Sequence, residues 1–364
     1  MNSSRAAREG TRPSPAPGAN PGVDPAARAG RGKVAVQDGT VTLDGLDLRL
    51  GGRIAPCGVA YRLVGAEDAP VIAVLGGISA DRRVCAAPGS GEPAGWWQGV
   101  VDRGIDLTRW RVLAIDFLAG PGGSSRPARP AHPKAIPAIT PNDQADALRA
   151  VADRLELPTL EAVVGASYGG TVALAFAADH ADRTRSALVL GAAHRSHPLA
   201  TAVRVVQRRI VQDAVARGRE RAGLALARVL AMTTYRSQEE FQERFSGRPR
   251  IVDGSPRFPV EDYLDHHGQQ FADRFDALNF LCLSLSMDLQ RVDPAKVGVP
   301  VTLVAMEPDS IAPVWQVRQL HEQLGPGHQL IEVASSCGHD GFLTDVDLFG
   351  DVVGTFLEQR RPEP

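Results

Sequence analysis

Short apolar runs alternate with amphipathic segments along most of the chain. Val71–Leu75 (VIAVL), Arg111–Asp116 (RVLAID), Ala162–Val164, Ser186–Leu190 and Val299–Ala305 are brief and nearly continuous in apolar residues, and Gln329–Val333 reads as a last strand. That pattern predicts strands covered on both faces, as in a parallel sheet. Lys33–Leu50 alternates apolar and polar residues in a hairpin-like way, and Gly58–Val64 reads as a further strand. Asn142–Arg154 reads as an amphipathic helix. Strands alternating with helices predict an α/β fold with a mostly parallel, doubly wound sheet. Between residues 196 and 290 helical periodicity replaces the short runs, with frequent arginines and no strand expected. This segment is expected to be a helical lid inserted into a core of residues 34–195 and 291–360. Residues 1–33 hold almost no large apolar side chains and are expected to be a disordered tail. The tail lacks the apolar stretch of a secretory signal.

Composition narrows the picture. The chain has 364 residues, 43% of them hydrophobic and 23% charged, with a formal net charge of -2. This is a globular composition without the basic surface that nucleic acid or an acidic membrane requires. Cys57, Cys85, Cys282 and Cys337 are scattered with no C-x-x-C spacing, as suits reduced thiols in a cytoplasmic protein. No metal site or bound cofactor is expected. No apolar run reaches the length of a membrane span.

The chemistry centres on Leu160–Gly170 (LEAVVGASYGG). An apolar strand, the turn Gly165-Ala166-Ser167-Tyr168-Gly169 and an Ala-rich helix form the context of a G-x-S-x-G nucleophile elbow. A serine hydroxyl needs a base, and the base needs an orienting acid. With this elbow the acid and then the histidine follow the serine in sequence. His321 falls in a polar helix and His328 in a Gly-Pro turn, and both are expected at the solvated surface. His339 lies in a loop after the last strand, where the base belongs. Asp309 is the preferred acid in the loop Met306-Glu307-Pro308-Asp309-Ser310, with Glu307 its competitor. Cys337, two residues before His339, is expected to be incidental. The backbone N–H groups of Tyr168 and of Ile78, in the Gly76–Ser79 turn, are the expected oxyanion donors.

Further motifs accompany this set. Gly95-Trp96-Trp97, the glycine-rich Asp116–Ser125 loop, Gln207-Arg208 and Thr234-Tyr235-Arg236-Ser237 occur in order. Tyr263-Leu264, Arg274-Phe275-Asp276, Ser286-Met287-Asp288 and Gly338-His339-Asp340-Gly341-Phe342-Leu343 follow. Over about residues 40–358 the sequence resembles the homoserine O-acyltransferase family, which has the α/β-hydrolase fold. Its Val74–Ala80 turn and compact lid are similar to the short homoserine O-succinyltransferases. The resemblance implies a homodimer and a ping-pong transfer of succinyl from the co-substrate succinyl-CoA through Ser167 to L-homoserine, on the way to methionine. It also implies that Arg208 meets the substrate carboxylate and Asp340 its ammonium group, with Tyr235 as a further polar contact. Acetyl-CoA as donor and L-serine as acceptor remain open within the family, and a carboxylesterase remains open outside it. Arg82-Arg83 follow the oxyanion turn, where a cation would suit a succinyl carboxylate or else face solvent.

Overall fold

The apolar runs build strands, most of which join one sheet. In chain order the strands are β1 (Val34–Leu43), β2 (Leu46–Asp47), β3 (Arg53–Ile54), β4 (Cys57–Ala66), β5 (Val71–Leu75) and β6 (Arg111–Ile115). They continue as β7 (Ala162–Ala166), β8 (Ala187–Leu190), β9 (Arg250–Val252), β10 (Ser255–Arg257), β11 (Val301–Glu307) and β12 (Gln329–Ala334). The computed structural model describes residues 33–129, 132 and 135–360, so the tail expected at 1–33 lies outside the described residues except for Lys33. The main sheet has eight strands in the order β1-β4-β6-β5-β7-β8-β11-β12. β1, β4 and β6 pair antiparallel at one edge. Every other pairing is parallel.

Parallel neighbours need crossovers, and helices supply them. These are α1 (Gln98–Gly104), α2 (Pro141–Arg154) and α3 (Tyr168–Asp179) before the insertion. The insertion between β8 and β11 holds α4 (Pro198–Ala216), α5 (Glu220–Tyr235), α6 (Gln238–Phe245), α7 (Pro259–Arg274) and α8 (Ala277–Asp288). After it come α9 (Val314–Leu324), α10 (Gly341–Thr344) and α11 (Val346–Glu358). The central strand β5 shows why the apolar runs are continuous. Val71, Ala73 and Leu75 join a core with Leu148 and Phe176, whereas Ile72 and Val74 join another with Val101 and Phe349. Side chains alternate between faces, and both faces are covered. The first core extends into the insertion through Val211, Leu224, Phe271 and Leu281, so the insertion shares the apolar interior of the sheet.

Two expectations are corrected. The alternation in Lys33–Leu50 is not one hairpin. β1 pairs instead with β4, from Val34 opposite Ala66 to Leu43 opposite Cys57, while β2 pairs with β3 in a side ribbon. The insertion is also not free of strands, because β9 and β10 form a short hairpin. Its turn residues Asp253 and Gly254 have φ of 50° and 78°, as a tight two-residue hairpin turn requires. Among the described residues, no helix is long and apolar enough to cross a membrane, and no cluster of His, Cys, Asp and Glu could hold a metal ion. All four cysteines are free thiols.

One contact ties the core to the loop that carries His339. The buried Trp97 Nε1 donates to the Phe342 carbonyl at 2.7 Å, and the Phe342 ring stands edge-on to His339 with centroids 6.0 Å apart. Trp97→Phe leaves that buried carbonyl unpaired, so unfolding in urea should show a loss of about 2 kcal/mol. A loss below about 0.5 kcal/mol would show that the bond contributes little to stability.

Candidate active site

Local sequence sets the elbow. β7 ends at Ala166, Ser167 takes φ 55° and ψ −120°, and α3 begins at Tyr168. The Ser167 N–H donates to the Leu190 carbonyl at 2.8 Å and the Gly169 N–H to Gly76 at 2.9 Å, fixing the turn against both neighbouring strands. A Cβ on Gly165 would lie 2.1 Å from the Gly169 oxygen, and one on Gly169 would lie 2.3 Å from the Leu75 oxygen. Both contacts are with backbone, which is why these two positions take glycine.

The structure joins Ser167, His339 and Asp309 in one hydrogen-bonded chain. Ser167 Oγ lies 2.8 Å from His339 Nε2, and His339 Nδ1 lies 2.7 Å from Asp309 Oδ2. The second oxygen of Asp309 accepts from the Ile311 and Ala312 N–H groups at 2.7 and 2.9 Å. This arrangement gives each oxygen of a buried carboxylate a hydrogen-bond partner. With Nδ1–H directed to Asp309, Nε2 is free to accept the serine proton. Glu307, the competitor, ends β11 with its side chain exposed. Burial opposes a charge on His339, but the Asp309 carboxylate, its hydrogen bond and the nearby Asp340 together raise the imidazole pKa above its ordinary 6.5.

The Gly76–Ser79 turn lies against the serine, since a Cβ on Gly77 would sit 3.9 Å from Ser167 Cβ. The Tyr168 N–H is at the start of α3, where it has no acceptor within the helix. The Tyr168 side chain points away, packed edge-on to Phe117 and bonded to Ser286 Oγ at 2.6 Å. Burial pushes its phenol pKa up. Only the backbone of Tyr168 is therefore available to an oxyanion. Ile78 is buried in its turn, closed by the Ala80 N–H donating to Gly77 at 3.0 Å.

The remaining candidates are less alike than their motifs suggest. Asp340 is buried beside His339, with Arg236 Nε 3.3 Å from its carboxylate. Burial raises its pKa, against the opposing charges of Arg236, His339 and Arg228. The Tyr235 ring lies 6.0 Å from the His339 ring. Arg208 is buried against α8, donating to Asp288 at 2.6 Å and to the Ser284 carbonyl at 2.9 Å. Arg204, one turn earlier, pairs with the same Asp288 and lines the small cavity at Ser167 and Thr171. The Gln207-Arg208 motif does not include Arg204; its i, i+4 spacing to Arg208 is the sequence signal that could have found it. Arg82 does not reach the site as a free cation, because it donates to Asp116 at 2.5 Å and approaches Asp38. Arg83 is 63% exposed and faces Asp81. The two distal histidines are half-buried and not fully solvated, with Val301 N–H donating to His328 Nδ1 at 3.1 Å. A cavity of about 350 Å³ reaches His339 between α4, the Thr233–Glu239 segment and the Pro308–Ile311 loop.

Comparison with known proteins agrees with this architecture. The α/β hydrolase fold family matches residues 84–346. A homoserine O-succinyltransferase of Xanthomonas campestris pv. campestris is 42% identical over 299 residues, covering 82% of this chain and 78% of that protein. An L-serine/homoserine O-acetyltransferase of Streptomyces lavendulae is 34% identical over 357 residues, covering 86% and 95%. Among solved structures, a homoserine O-acetyltransferase from Staphylococcus aureus superposes with a TM-score of 0.75 at 24% identity, covering 91% of this chain and 98% of its own. Esterase E22 superposes at 0.77 with 17% identity, covering 89% and 100%. At those identities the superpositions speak for the fold alone. The sequence relatives go further: the chain belongs to the homoserine O-acyltransferase family of the α/β-hydrolase fold.

Proposed function

We propose that this protein moves a succinyl group from succinyl-CoA to the hydroxyl of L-homoserine through an acyl-serine intermediate. The observation that carries the reading is the Ser167–His339–Asp309 chain beneath the inserted helices, in a sequence whose 42% identical relative is a homoserine O-succinyltransferase. His339 takes the Ser167 proton at Nε2 while the serine oxygen attacks the thioester carbonyl. The oxyanion is held by the N–H groups of Ile78 and Tyr168. Collapse expels the CoA thiolate, which takes the proton from His339. The homoserine hydroxyl then gives its proton to His339 and attacks the acyl-serine, and ester formation returns the proton to Ser167.

In this reading Asp340 accepts the homoserine ammonium, which restores the charge that burial disfavours. The acceptor carboxylate goes to the Arg204–Arg208 pair, two cations sharing the one Asp288. Arg204 faces the cavity, Arg208 stands behind it, and Tyr235 is a further contact. The inserted helices keep water from the acyl-enzyme. A second reading, acetyl as the acyl group, is favoured by the acetyltransferase relatives at 31–34% identity.

CoA release should be measured with succinyl-CoA or acetyl-CoA against L-homoserine or L-serine. Release confined to succinyl-CoA with homoserine is expected, with Ser167→Ala lowering it at least about 10³-fold. Cleavage of a nitrophenyl ester without transfer from any pair would leave an esterase.

The raised His339 pKa sets the pH dependence. A base must be neutral to act, so activity falls as pH drops through a limb placed above 6.5. Asp309→Asn removes the charge that raises it. The limb should then move to lower pH while kcat falls about 10³- to 10⁴-fold. An unmoved limb would assign it to another group.

A further inference from the structure

The joint between α5 and α6 is fastened to both loops that carry the acid and the base. Ser310, next to Asp309, donates through Oγ to the Thr234 carbonyl at 2.8 Å. Ser237 Oγ donates to the Ser336 carbonyl and accepts from the Glu240 N–H at 3.0 Å, so one hydroxyl caps α6 and holds the His339 loop. Gly338 packs on the same joint, where a Cβ would lie 2.9 Å from the Ser237 nitrogen and 3.0 Å from the Tyr235 oxygen. Arg236, in the middle of the joint, lines the cavity of about 350 Å³ that reaches His339.

The Arg236 guanidinium lies between two carboxylates. Nη1 donates to both oxygens of Glu240 at 3.2 and 3.3 Å, and Nε lies 3.3 Å from Asp340 Oδ2. Glu240 is held in turn by Arg244 at 2.6 Å. The Arg236 and Asp340 side chains are only 13% and 12% exposed, so solvent screens the pair little. Burial works against the Asp340 charge, and Glu240 adds to that as a like charge. Arg236, His339 and Arg228 oppose it, and the Tyr263 phenol on α7 is a further titratable group beside Arg236 and Asp340. Of the three cations, His339 is neutral whenever it waits to take a proton, and Arg228 lies over the Tyr235 and Phe271 rings. Arg236 is the permanent charge at ion-pair distance from Asp340 among the described residues. Its Nε makes no hydrogen bond there, so it supplies charge and leaves the carboxylate oxygens open to an N–H donor.

We infer that Arg236 is a positioning residue, which keeps the Asp340 carboxylate ionised and in place for the acceptor's ammonium group while His339 is neutral. The inference rests on the acceptor role given to Asp340 above. A protonated Asp340 would offer the ammonium a neutral partner and forfeit the stronger charge-assisted bond. The joint fixes the arginine relative to the His339 loop, so its charge stays with Asp340 through both halves of the reaction.

The test separates those halves. CoA release without acceptor reports attack on the donor, and the homoserine dependence of transfer reports the acceptor site. In Arg236→Gln the homoserine KM should rise about 10- to 100-fold, while acceptor-free CoA release changes less than about threefold. Without the arginine the buried carboxyl takes up its proton at higher pH. The rise in homoserine KM on acidification should therefore begin about one pH unit higher or more. Arg236→Lys, which keeps the charge without the fork, should restore part of the loss. Equal losses in both halves, or a raised KM with an unmoved pH dependence, would overturn the inference and leave Arg236 a fastening of the fold. Should Arg236→Gln fail to fold, Glu240→Gln decides. Removal of that like charge should move the rise to lower pH, and an unmoved rise would overturn the inference. Asp340→Asn tests the underlying acceptor role separately. An unchanged homoserine KM there would remove Asp340 from the acceptor site and the inference with it. A large change there, with none in Arg236→Gln, would remove the role of Arg236 alone.

Discussion

The backbone at Ser167 is the constraint on which the site depends. A non-glycine residue at φ 55° and ψ −120° is held against its own preference, at a cost on the order of 1–3 kcal/mol. The surroundings that hold it are specific: Ser167 N–H on β8, Gly169 N–H on the end of β5, and two positions where any Cβ would strike backbone. The same geometry starts α3 at Tyr168, so one turn presents both the hydroxyl and an unpaired N–H. The central strands and the glycines act as one unit. Because β5 and β7 are covered on both faces, the strand ends cannot yield to relieve the turn.

Electrostatics then distinguishes charges that the fold fully partners from charges that it does not. Asp309 has both oxygens engaged, by His339 and two backbone N–H groups, and serves to orient and charge the imidazole. Asp288 anchors two arginines of α4 onto α8 and so fixes the inserted helices over the site. Asp116 ties down the segment after the Gly76–Ser79 turn, accepting from Arg82 and from the Gly123 N–H. Asp340 and Arg228 differ from these. Burial works against the charge of Asp340, and Arg228 lies over the Tyr235 and Phe271 rings with no ion pair among the described residues.

Much of this was legible in sequence because its causes are local. Continuous apolar runs such as VIAVL reflect burial on two faces, and a small-residue turn between strand and helix reflects the elbow. Asp309 was preferred to Glu307 by position, and the structure places it at His339. What escaped was non-local. The partner of β1 is β4, beyond the β2–β3 ribbon, and alternation in one segment cannot name its partner. The β9–β10 hairpin carried a signal in Asp253-Gly254, but its strands are three residues long and almost wholly exposed, so no buried apolar run marked them. The arginines were the least legible. Arg82, Arg204, Arg208 and Arg228 look equivalent in sequence, and only their tertiary partners separate a structural ion pair from a cation facing a cavity.

The most direct measurement is the mass of the intact protein after mixing with succinyl-CoA in the absence of an acceptor. The account predicts an adduct of about 100 Da, the succinyl acyl-enzyme, on the peptide containing Ser167. L-homoserine should discharge it with formation of O-succinyl-homoserine. An adduct that decays to free succinate at the same rate with or without homoserine would contradict the account, as would no adduct alongside CoA release that requires both substrates.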